Sequence, residues 1–591
     1  MRQCFFASTL LFGHAATAVS AHAQKPIPSV HLPTQGKTTD ASCRCFPGDA
    51  CWPSDDEWSS LNATVGGRLI ATVPLGFPCH DPHYDEEECA YLREQWLYAG
   101  IHYNSSSSVM APFFANQSCD PWTARERPCE LGAYVRYAVN ATGADHIAAA
   151  VSFARAQNVR LVIRNTGHDY LGRSTGAGAL AVWTHHLKDI TPLEWDDVDF
   201  TGTALKLGAG VQGYEMMQAA TRVGRVAVGG ECPTVGVAGG YTQSGGHSAL
   251  STSFGLAADQ TLSFEVVTAS GELVTASKTE NTDLYWALSG GGAGNYGVVV
   301  SMTVKTYPEA IVSGLKLSVE KADNNNSTDQ VFSAVDAFHA ALPGLVDFGS
   351  MVIYYFTADY LTISALTAYN RTQAQLEQAV QPLLASLRAR GLRHSVSYTE
   401  SPTYYDHYAA YWGPLPDGWI QVGTANFGGR LVSRPQLASP AFSAAARIIA
   451  GAGGIFIGVG TDVGRFGGEG ANAVLPAWRD AVVSAWRDAV VSASLEVPFS
   501  FEDPWADVYG ELDLITHVLQ PAVEEATPGM GTYVNEGDFR QPDWQEVFYG
   551  ANYDRLLAVK RKWDLEGLFY CGVAVGSEDW VVAEGGRLCR A

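Results

Sequence analysis

The sequence predicts an α+β protein made of two interleaved domains. With 591 residues, 47% of them hydrophobic, the chain exceeds the roughly 250–300 residues at which a single core stops growing. A helix-type pattern at Asp145–Gln157 precedes strand-type stretches at Arg160–Asn165, around Ala204–Val211 and around Leu262–Val267. A second region of mixed periodicity covers residues 311–527. These patterns predict one α+β unit that ends near residue 310 and a separate α+β domain after it.

The second region contains its own clear elements and one oddity. A long helix is predicted near Gln373–Arg390, and strands are predicted at Met351–Phe356 and Ile455–Gly460. The octapeptide Ala477–Ser484 is repeated without change as Ala485–Ser492. Because eight residues make about two helical turns, the copy would extend one surface helix with its face nearly preserved. We interpret the repeat as a recent duplication or a gene-model artefact without function.

The first 23 residues have the pattern of a secretory signal peptide. A charged start is followed by an apolar run to Val19 and by the small-residue exit Ala21-His22-Ala23. The run is shorter than the about 20 residues of a membrane span. We therefore expect a secreted, extracellular protein whose mature chain begins near Gln24, and no membrane partner. A glycosylated surface is consistent with the Asn-x-Ser/Thr sequons at Asn62, Asn104, Asn116, Asn140, Asn326 and Asn370.

Cysteines crowd the segment 24–126 and the residues just after it, as in a disulfide-stapled extracellular region. This segment is also rich in Pro, Trp and turn residues, which predicts an irregular wrap with a few short helices. Several connectivities are compatible with the spacing. One of them leaves only Cys232 and Cys571 unpaired in the mature chain, and it joins Cys45 to Cys51, Cys79 to Cys89, Cys119 to Cys129 and Cys43 to Cys589.

The charge of the chain limits the classes of partner that it is expected to bind. A formal charge of −23 and a pI near 5.0 argue against nucleic acid, which binds basic surfaces through counterion release. No metal is expected, because neither His247 nor the pair His185-His186 has the spacing of a closed metal site. Small neutral or cationic ligands remain as partners.

Two loops carry residues suited to binding a phosphorylated cofactor. Asn165–Ser174 follows a buried strand and is composed of small residues and hydrogen-bond donors, which can wrap a phosphate with backbone amides. Gly229–Ser248 is dense in glycine, as expected where backbone packs against a ligand. The alternative is that both are ordinary turns and that His168 is a hydrogen-bonded loop histidine.

Three separated blocks resemble the berberine-bridge-enzyme-like branch of the vanillyl-alcohol oxidase superfamily. They are Arg164-Asn-Thr-Gly-His168 with Gly172-Arg-Ser174, Cys232-Pro-Thr-Val-Gly236 with its glycine-rich tail, and Tyr533-Val-Asn535 with Phe548–Leu556. The resemblance implies an α+β fold with a two-part PCMH-type FAD-binding domain and an inserted α+β substrate domain with an antiparallel sheet. It divides the chain into residues 127–310 for the FAD-binding domain, 311–527 for the substrate domain and 528–591 for a C-terminal segment returning to the first domain.

The resemblance also implies the cofactor and its ligands. In this family the histidine of the first block and the cysteine of the second bond covalently to the flavin ring, which carries over to His168 and also to Cys232. The other cofactor-binding residues implied are Arg164, Asn165, Thr166, Gly167, Asp169, Ser174, Thr234, Val235, Gly236, Gly240, Gly246, Asp259, Gly297, Val299 and Asn552. A nicotinamide site is not expected, because the glycine motif at 292–297 is followed by a strand where that fingerprint requires a helix.

For catalysis, the resemblance points to the segment Tyr533-Val-Asn535-Glu536. A tyrosine with a lowered pKa or a carboxylate would take the substrate proton while hydride passes to the flavin. Tyr533 is the first candidate for the base, Glu536 is the second, and the alternative is that Tyr533 and Asn535 only position the flavin edge. In this family a small residue at the position of Val235 favours access of oxygen.

These expectations predict a monomeric, secreted FAD-linked oxidase that acts on a small-molecule alcohol, a carbohydrate or a secondary metabolite, and that passes electrons to O2 to form H2O2. Two other hypotheses about the function remain open. One is a dehydrogenase or an oxidative-cyclising enzyme of secondary metabolism. The other is a catalytically silent secreted flavin-binding protein.

Overall fold

The computed structural model describes residues 43–466, 470–479 and 489–591. The predicted signal peptide, residues 1–23, lies outside the described residues. The middle of the tandem octapeptide, residues 480–488, lies outside them as well. None of the helices in the described part of the chain is long and apolar enough to cross a bilayer.

Two sheets form the first part of the fold. In the four-stranded sheet, the strands on either side of Leu180–Trp183 run parallel to it, and the helix Ala144–Ala156 connects these two strands. The five-stranded sheet is antiparallel. In spatial order the strands are Leu69–Ala71, Tyr137–Asn140, Leu180–Trp183 and Leu161–Arg164 in the first sheet, and Ile190–Asp196, Thr201–Gly208, Val298–Lys305, Thr261–Val267 and Leu273–Ser277 in the second. The helix and strands predicted in this part are confirmed, with small shifts at their ends.

The second part is a seven-stranded antiparallel sheet, which we name the roof sheet. Long helices cover one of its faces with an apolar core, among them Thr328–Asp347, Gln373–Ala389 and Pro440–Gly451. The predicted α+β character, the long helix and the antiparallel sheet are confirmed. In spatial order the strands are Ser395–Ser401, Val312–Glu320, Tyr360–Tyr369, Ser350–Phe356, Ile455–Gly460, Ala489–Pro498 and Ala425–Ser433.

The tandem octapeptide does not extend a surface helix where it is described. Its first copy begins in the 3₁₀ turn Pro476–Trp478, and the last four residues of its second copy, Ala489–Ser492, open a central strand of the roof sheet. Val490 and Val491 are buried there. Stiff β-branched side chains pack well on a pleated surface, so tertiary burial overrides the helical spacing.

The C-terminal segment packs back onto the first part of the fold. The helix Tyr553–Trp563 lies against the helix Thr282–Leu288, and the Arg555 guanidinium stands 3.7 Å from the ring centre of Trp286. The buried ammonium of Lys560 donates to Asp564 at 2.6 Å and to the carbonyl of Asn295 at 2.8 Å. The bond to Asn295 joins the segment to the loop before the strand Val298–Lys305, whereas the ion pair with Asp564 lies within the segment.

The four disulfides of the connectivity considered above are all present. They join Cys45 to Cys51, Cys79 to Cys89, Cys119 to Cys129 and Cys43 to Cys589. Cys232 and Cys571 are the free cysteines of the described residues.

The expected short helices of the N-terminal wrap are also found. The remaining α-helices are Asp55–Thr64, Glu86–Gln95, Ala99–Tyr103, Pro112–Ala115, Gly213–Arg222, Ser251–Phe254, Ala257–Gln260, Tyr404–Trp412, Arg434–Leu437, Trp505–Leu514, Gln520–Ala526 and Trp544–Tyr549.

Candidate functional site

A cavity of about 270 Å³ lies where both predicted loops meet the C-terminal segment. Its lining residues come from the segments 163–174, 230–247 and 533–536, and from parts of 293–299 and 420–422. Most of the predicted site residues line it, although they come from distant parts of the chain. Those lining residues are Asn165, Thr166, Gly167, His168, Asp169, Ser174, Cys232, Val235, Gly236, Gly240, Gly297, Val299, Tyr533, Asn535 and Glu536.

The loop after the strand Leu161–Arg164 forms a tight turn with features suited to an anion, which we name the anion-binding turn. Gly167 has a left-handed φ of 89°, which a residue with a side chain rarely adopts. The backbone N–H groups of residues 166–169 make no hydrogen bond to another described residue. Below the turn, the buried guanidinium of Arg164 donates to the carbonyls of His102 at 2.9 Å and Ser105 at 3.0 Å. Free amides above a buried cation are suited to a pyrophosphate.

Asp169 folds this loop as well as lining the cavity. Its carboxylate accepts hydrogen bonds from the backbone N–H groups of Leu171 at 3.0 Å, Ser174 at 3.1 Å and Arg173. These bonds satisfy three donors that would otherwise be left without partners in a tight turn. Asp169 therefore shapes the anion-binding turn from within.

One hydroxyl contacts both predicted covalent ligands. The Thr234 Oγ1 lies 2.8 Å from the His168 Nε2 and 3.5 Å from the Cys232 Sγ. Burial lowers the pKa of His168 to about 3, so that its imidazole is neutral. Burial raises the pKa of the Cys232 thiol, and hydrogen bonds from Thr234 oppose this rise. A neutral imidazole and a hydrogen-bonded sulfur are both suited to nucleophilic attack.

The glycine-rich loop brings backbone close to the first loop. A side chain at Gly236 would meet the Asn165 amide at 2.1 Å, whereas one at Gly240 would have no neighbour nearer than Asn535 at 3.8 Å. The Asn165 Nδ2 donates to the carbonyl of Ala209 at 2.7 Å. Its Oδ1 is buried and without a partner among the described residues. The lack of a side chain thus allows close packing at Gly236 and leaves open space at Gly240.

Another part of the cavity wall, which adjoins Cys232 through Glu231, holds a buried array of three ionisable side chains. The His247 Nε2 lies 2.7 Å from the Glu536 Oε1, and its Nδ1 lies 3.3 Å from the Glu231 Oε2. Burial disfavours the imidazolium, but the two carboxylates outweigh burial and raise the pKa of His247 well above its ordinary value. His247 is therefore a cation between two carboxylates, and it fixes the position of Glu536.

Tyr533 does not have the lowered pKa that a catalytic tyrosine needs. Burial and the neighbouring Glu536 raise its pKa above the ordinary value. Its hydroxyl accepts a hydrogen bond from the Asn535 Nδ2 at 2.7 Å, and the same amide donates to the carbonyl of Gly240 at 2.9 Å. The Tyr533 phenol therefore stays protonated, whereas Glu536 brings a carboxyl group to the same cavity.

Sequence reasoning missed several residues at this end. Tyr170 lines the cavity and stacks on Phe427 of the roof sheet, with ring centres 4.0 Å apart. Burial and Glu536 raise the pKa of Glu496, on the neighbouring strand, to about 7. Glu231 directly precedes Cys232 in the sequence, but no spacing rule pairs it with His247. No local motif marks these residues, because the fold alone brings them together.

Five predicted cofactor residues do not line the cavity. Arg164 and Thr234 lie directly behind the wall, and Gly246 packs against Tyr241. Asp259 forms an ion pair with Arg479 at 2.9 Å, and the Asn552 side chain donates to the carbonyls of residues 473 and 474.

The residues present fit a flavin dinucleotide. The free amides of the anion-binding turn match a pyrophosphate, and the pair His168 and Cys232 matches the reactive edge of a flavin ring. The unpartnered Asn165 Oδ1 and Gln243 Oε1 are buried acceptors beside the cavity. A ligand with N–H or O–H groups would satisfy them.

Comparison with known proteins agrees with this fit. Residues 135–277 match the family model "FAD binding domain", and residues 532–575 match "Berberine and berberine like". The FAD-linked oxidoreductase ZEB1 of Gibberella zeae is 54% identical over 93% of this chain and 95% of its own length.

Solved structures are similar over most of the chain. The VAO-type flavoprotein MtVAO615 from Myceliophthora thermophila C1 matches with a TM-score of 0.88 and 40% identity, over 93% of this chain and 100% of that one. Xylooligosaccharide oxidase from the same organism, solved with xylobiose, matches with a TM-score of 0.60 and 26% identity, over 75% of this chain and 91% of that one. The chain therefore belongs to the berberine-bridge-enzyme-like branch of the vanillyl-alcohol oxidase superfamily, and it is an FAD-dependent oxidoreductase.

Proposed function

We propose that this protein is a secreted oxidase that takes a hydride from an alcohol carbon of a carbohydrate or secondary metabolite and delivers the electrons to O2, forming H2O2. The observation that carries the proposal is the position of Glu536. Its carboxylate is held by His247 and lines the same cavity as His168 and Cys232. A fixed base and two flavin-binding nucleophiles thus share one compartment.

The cofactor would be FAD, bonded covalently through His168 and Cys232. When bound, FAD accepts the hydride and passes two electrons to oxygen. The amides of residues 166–169 would bind its pyrophosphate, with Arg164 supplying positive charge from below. Two covalent bonds would retain the ring in a cavity that stays open to a bulky substrate.

The side chains at the other end would handle the substrate proton. Glu536 accepts the proton of the substrate hydroxyl, and His247 holds that carboxylate in place and compensates its charge. Tyr533, which stays protonated, and Asn535 orient the substrate hydroxyl toward Glu536. Tyr170, stacked on Phe427, offers an aromatic surface to the body of the substrate.

Other features support an oxidase on a small molecule. Val235 lines the cavity next to Cys232 with a compact side chain, which leaves oxygen a path. The similar xylooligosaccharide oxidase is named for an oligosaccharide substrate. We further propose a monomer with domains at residues 127–310, 311–527 and 528–591, following the blocks that bind the cofactor.

Acid precipitation of the purified secreted protein tests the cofactor. We expect the yellow colour to stay in the pellet, and tryptic mass mapping to find one flavin joining the peptides of His168 and Cys232. Release of all flavin into the supernatant would refute covalent attachment.

A panel of alcohols and oligosaccharides tests the reaction. Under anaerobic conditions a substrate should bleach the flavin absorbance, and admission of air should restore it with one H2O2 formed for each product. Bleaching without reoxidation by air would identify a dehydrogenase, and a product of cyclised mass would identify a cyclising enzyme. A flavin that no compound bleaches would favour a silent binding protein.

A further inference from the structure

The Thr234 hydroxyl lies between the two nucleophiles of the site. Its Oγ1 is 2.8 Å from the His168 Nε2 and 3.5 Å from the Cys232 Sγ, and the residue is fully buried. A hydroxyl offers one donor and two acceptor positions. A single threonine can therefore accept from the imidazole and donate to the sulfur at the same time.

The backbone around Thr234 is fixed from behind the cavity. Its carbonyl accepts a hydrogen bond from the Gln212 Nε2 at 2.7 Å, and the backbone N–H of Gln212 donates to Glu215 at 2.8 Å. On either side, the carbonyls of Pro233 and Val235 accept from backbone N–H groups of residues 214 and 213, both at 3.0 Å. The protein itself, rather than a ligand, sets the place of this hydroxyl.

The direction of these hydrogen bonds follows from the chemistry of the partners. When the neutral imidazole of His168 carries its proton on Nε2 and donates it to Thr234, the lone pair on Nδ1 is free for attack. The Thr234 O–H then points to Cys232 and stabilises a thiolate that burial would otherwise disfavour. One hydroxyl thus prepares both residues.

We propose that Thr234 is the positioning residue for the two-point covalent attachment of FAD, setting the tautomer of His168 and holding the sulfur of Cys232. This inference rests on the covalent attachment put forward under Proposed function, and it adds a residue that acts through both nucleophiles.

Each bond formation balances with O2 as the oxidant. The His168 Nδ1 bonds to the methyl carbon of the ring system in place of one C–H hydrogen, and the imidazole gives up its N–H proton. The Cys232 Sγ bonds to a ring carbon in place of its hydrogen, and the thiol gives up its proton. In each case two protons and two electrons leave, and O2 takes them up as H2O2.

The test compares Thr234→Val with Thr234→Ser in the full secreted protein. Valine keeps the shape but removes the hydroxyl, whereas serine keeps the hydroxyl. The control is Thr242→Val, because the buried Thr242 hydroxyl donates only to the carbonyl of Val237, at 2.6 Å, in the same loop. The readout is the fraction of chains in which one flavin joins the peptides of His168 and Cys232, measured by tryptic mass mapping after acid precipitation.

We expect the doubly attached fraction to fall by on the order of tenfold or more in Thr234→Val, since the hydrogen bonds to both nucleophiles are lost. Thr234→Ser and Thr242→Val should match the parent. If Thr234→Val kept the parent level of double attachment, or if Thr234→Ser lost it, the role inferred for Thr234 would be overturned. The covalent attachment itself would still stand. A parent protein without covalent flavin would overturn the attachment itself and this inference with it. If Thr234→Val is not secreted, Thr234→Ala provides the same comparison without a bulky side chain.

Discussion

Two parts of the cavity wall, which we name the cofactor end and the substrate end after the roles proposed for them, are built on different principles. The cofactor end is made of backbone: a turn with free amides at residues 166–169, and the glycine-rich loop that packs on Asn165 at Gly236. The substrate end is made of side chains, with His247 held between Glu231 and Glu536. Backbone amides suit a ligand that is always the same, whereas ionisable side chains can adapt a site to particular chemistry.

The contrast also applies to charge. Below the anion-binding turn lies the buried cation of Arg164, and Arg173 reaches the same wall. At the substrate end, the one imidazolium is shared by two carboxylates, with Glu496 close by. The cofactor end therefore attracts an anion, and the substrate end favours a neutral or cationic molecule.

Glu536→Gln is the strongest test of the substrate end. The amide keeps the shape and can still contact His247, but it cannot accept a proton. We expect turnover to fall by about 10²–10⁴-fold, the usual contribution of a general base, while the flavin content stays unchanged. Anaerobic stopped-flow measurement of flavin reduction gives the rate of this step directly.

The control for that substitution is Glu525→Gln, which neutralises an exposed carboxylate on the helix Gln520–Ala526. It should leave the reduction rate unchanged. If Glu536→Gln reduced the flavin at the parent rate, the base would have to be sought elsewhere, and the functional difference between the two ends would not hold.

The same contrast explains what the sequence could predict. The cofactor end is encoded locally, so that the strand Leu161–Arg164, the turn at His168 and the loop at Cys232 could be found as motifs. His247 and Glu536 are 289 residues apart, and a polar contact across such a distance leaves no periodic signal. The raised pKa of Tyr533 could not be predicted from the sequence either, because it depends on burial by distant segments.

The fold class could be predicted because it depends on hydrophobic periodicity, which extends along whole helices and strands. The repeated Ala-Val-Val-Ser could not be assigned in this way. Its spacing suits a helix. Only pairing with the strands Ala425–Ser433 and Ile455–Gly460, one on each side, determines that Ala489–Ser492 of the second copy forms a strand. Sequence pattern thus fails where a neighbour decides the structure.

Lys560→Met tests how firmly the C-terminal segment supports the cofactor end. The substitution leaves the buried Asp564 carboxylate without its cation, although backbone N–H groups of residues 568 and 569 still donate to it at 2.8 Å. Breaking a buried ion pair from one side typically costs about 3–5 kcal/mol. We expect a loss of this size in the free energy of unfolding, measured by urea titration.

Lys562→Met is the matched control on the same helix. Lys562 pairs with Asp283 at 2.6 Å, but its side chain is 60% exposed, and such pairs contribute only about 0–1 kcal/mol. Equal losses in both variants would mean that the buried pair has no special part in holding the C-terminal segment.

Glu496→Gln gives the smallest expected effect, and it depends on pH. Burial and Glu536 raise the pKa of Glu496 from 4.5 to about 7, so the folded protein binds this proton more tightly than the unfolded chain does. Below about pH 4.5 the carboxyl is protonated in both states and costs nothing. As the pH rises toward 7 the folded parent resists ionisation and loses stability, whereas the glutamine variant does not.

The glutamine variant should therefore match the parent near pH 4.5 and exceed it by about 2 kcal/mol above pH 7, since one pKa unit corresponds to about 1.4 kcal/mol and part of the side chain reaches solvent. Unfolding titrations of both proteins between pH 4.5 and 8 measure this difference. Stability curves that stay parallel over that range would mean that Glu496 ionises like an exposed carboxyl. The substrate end would then hold one more full negative charge, and its preference for cationic molecules would be stronger than the structure suggests.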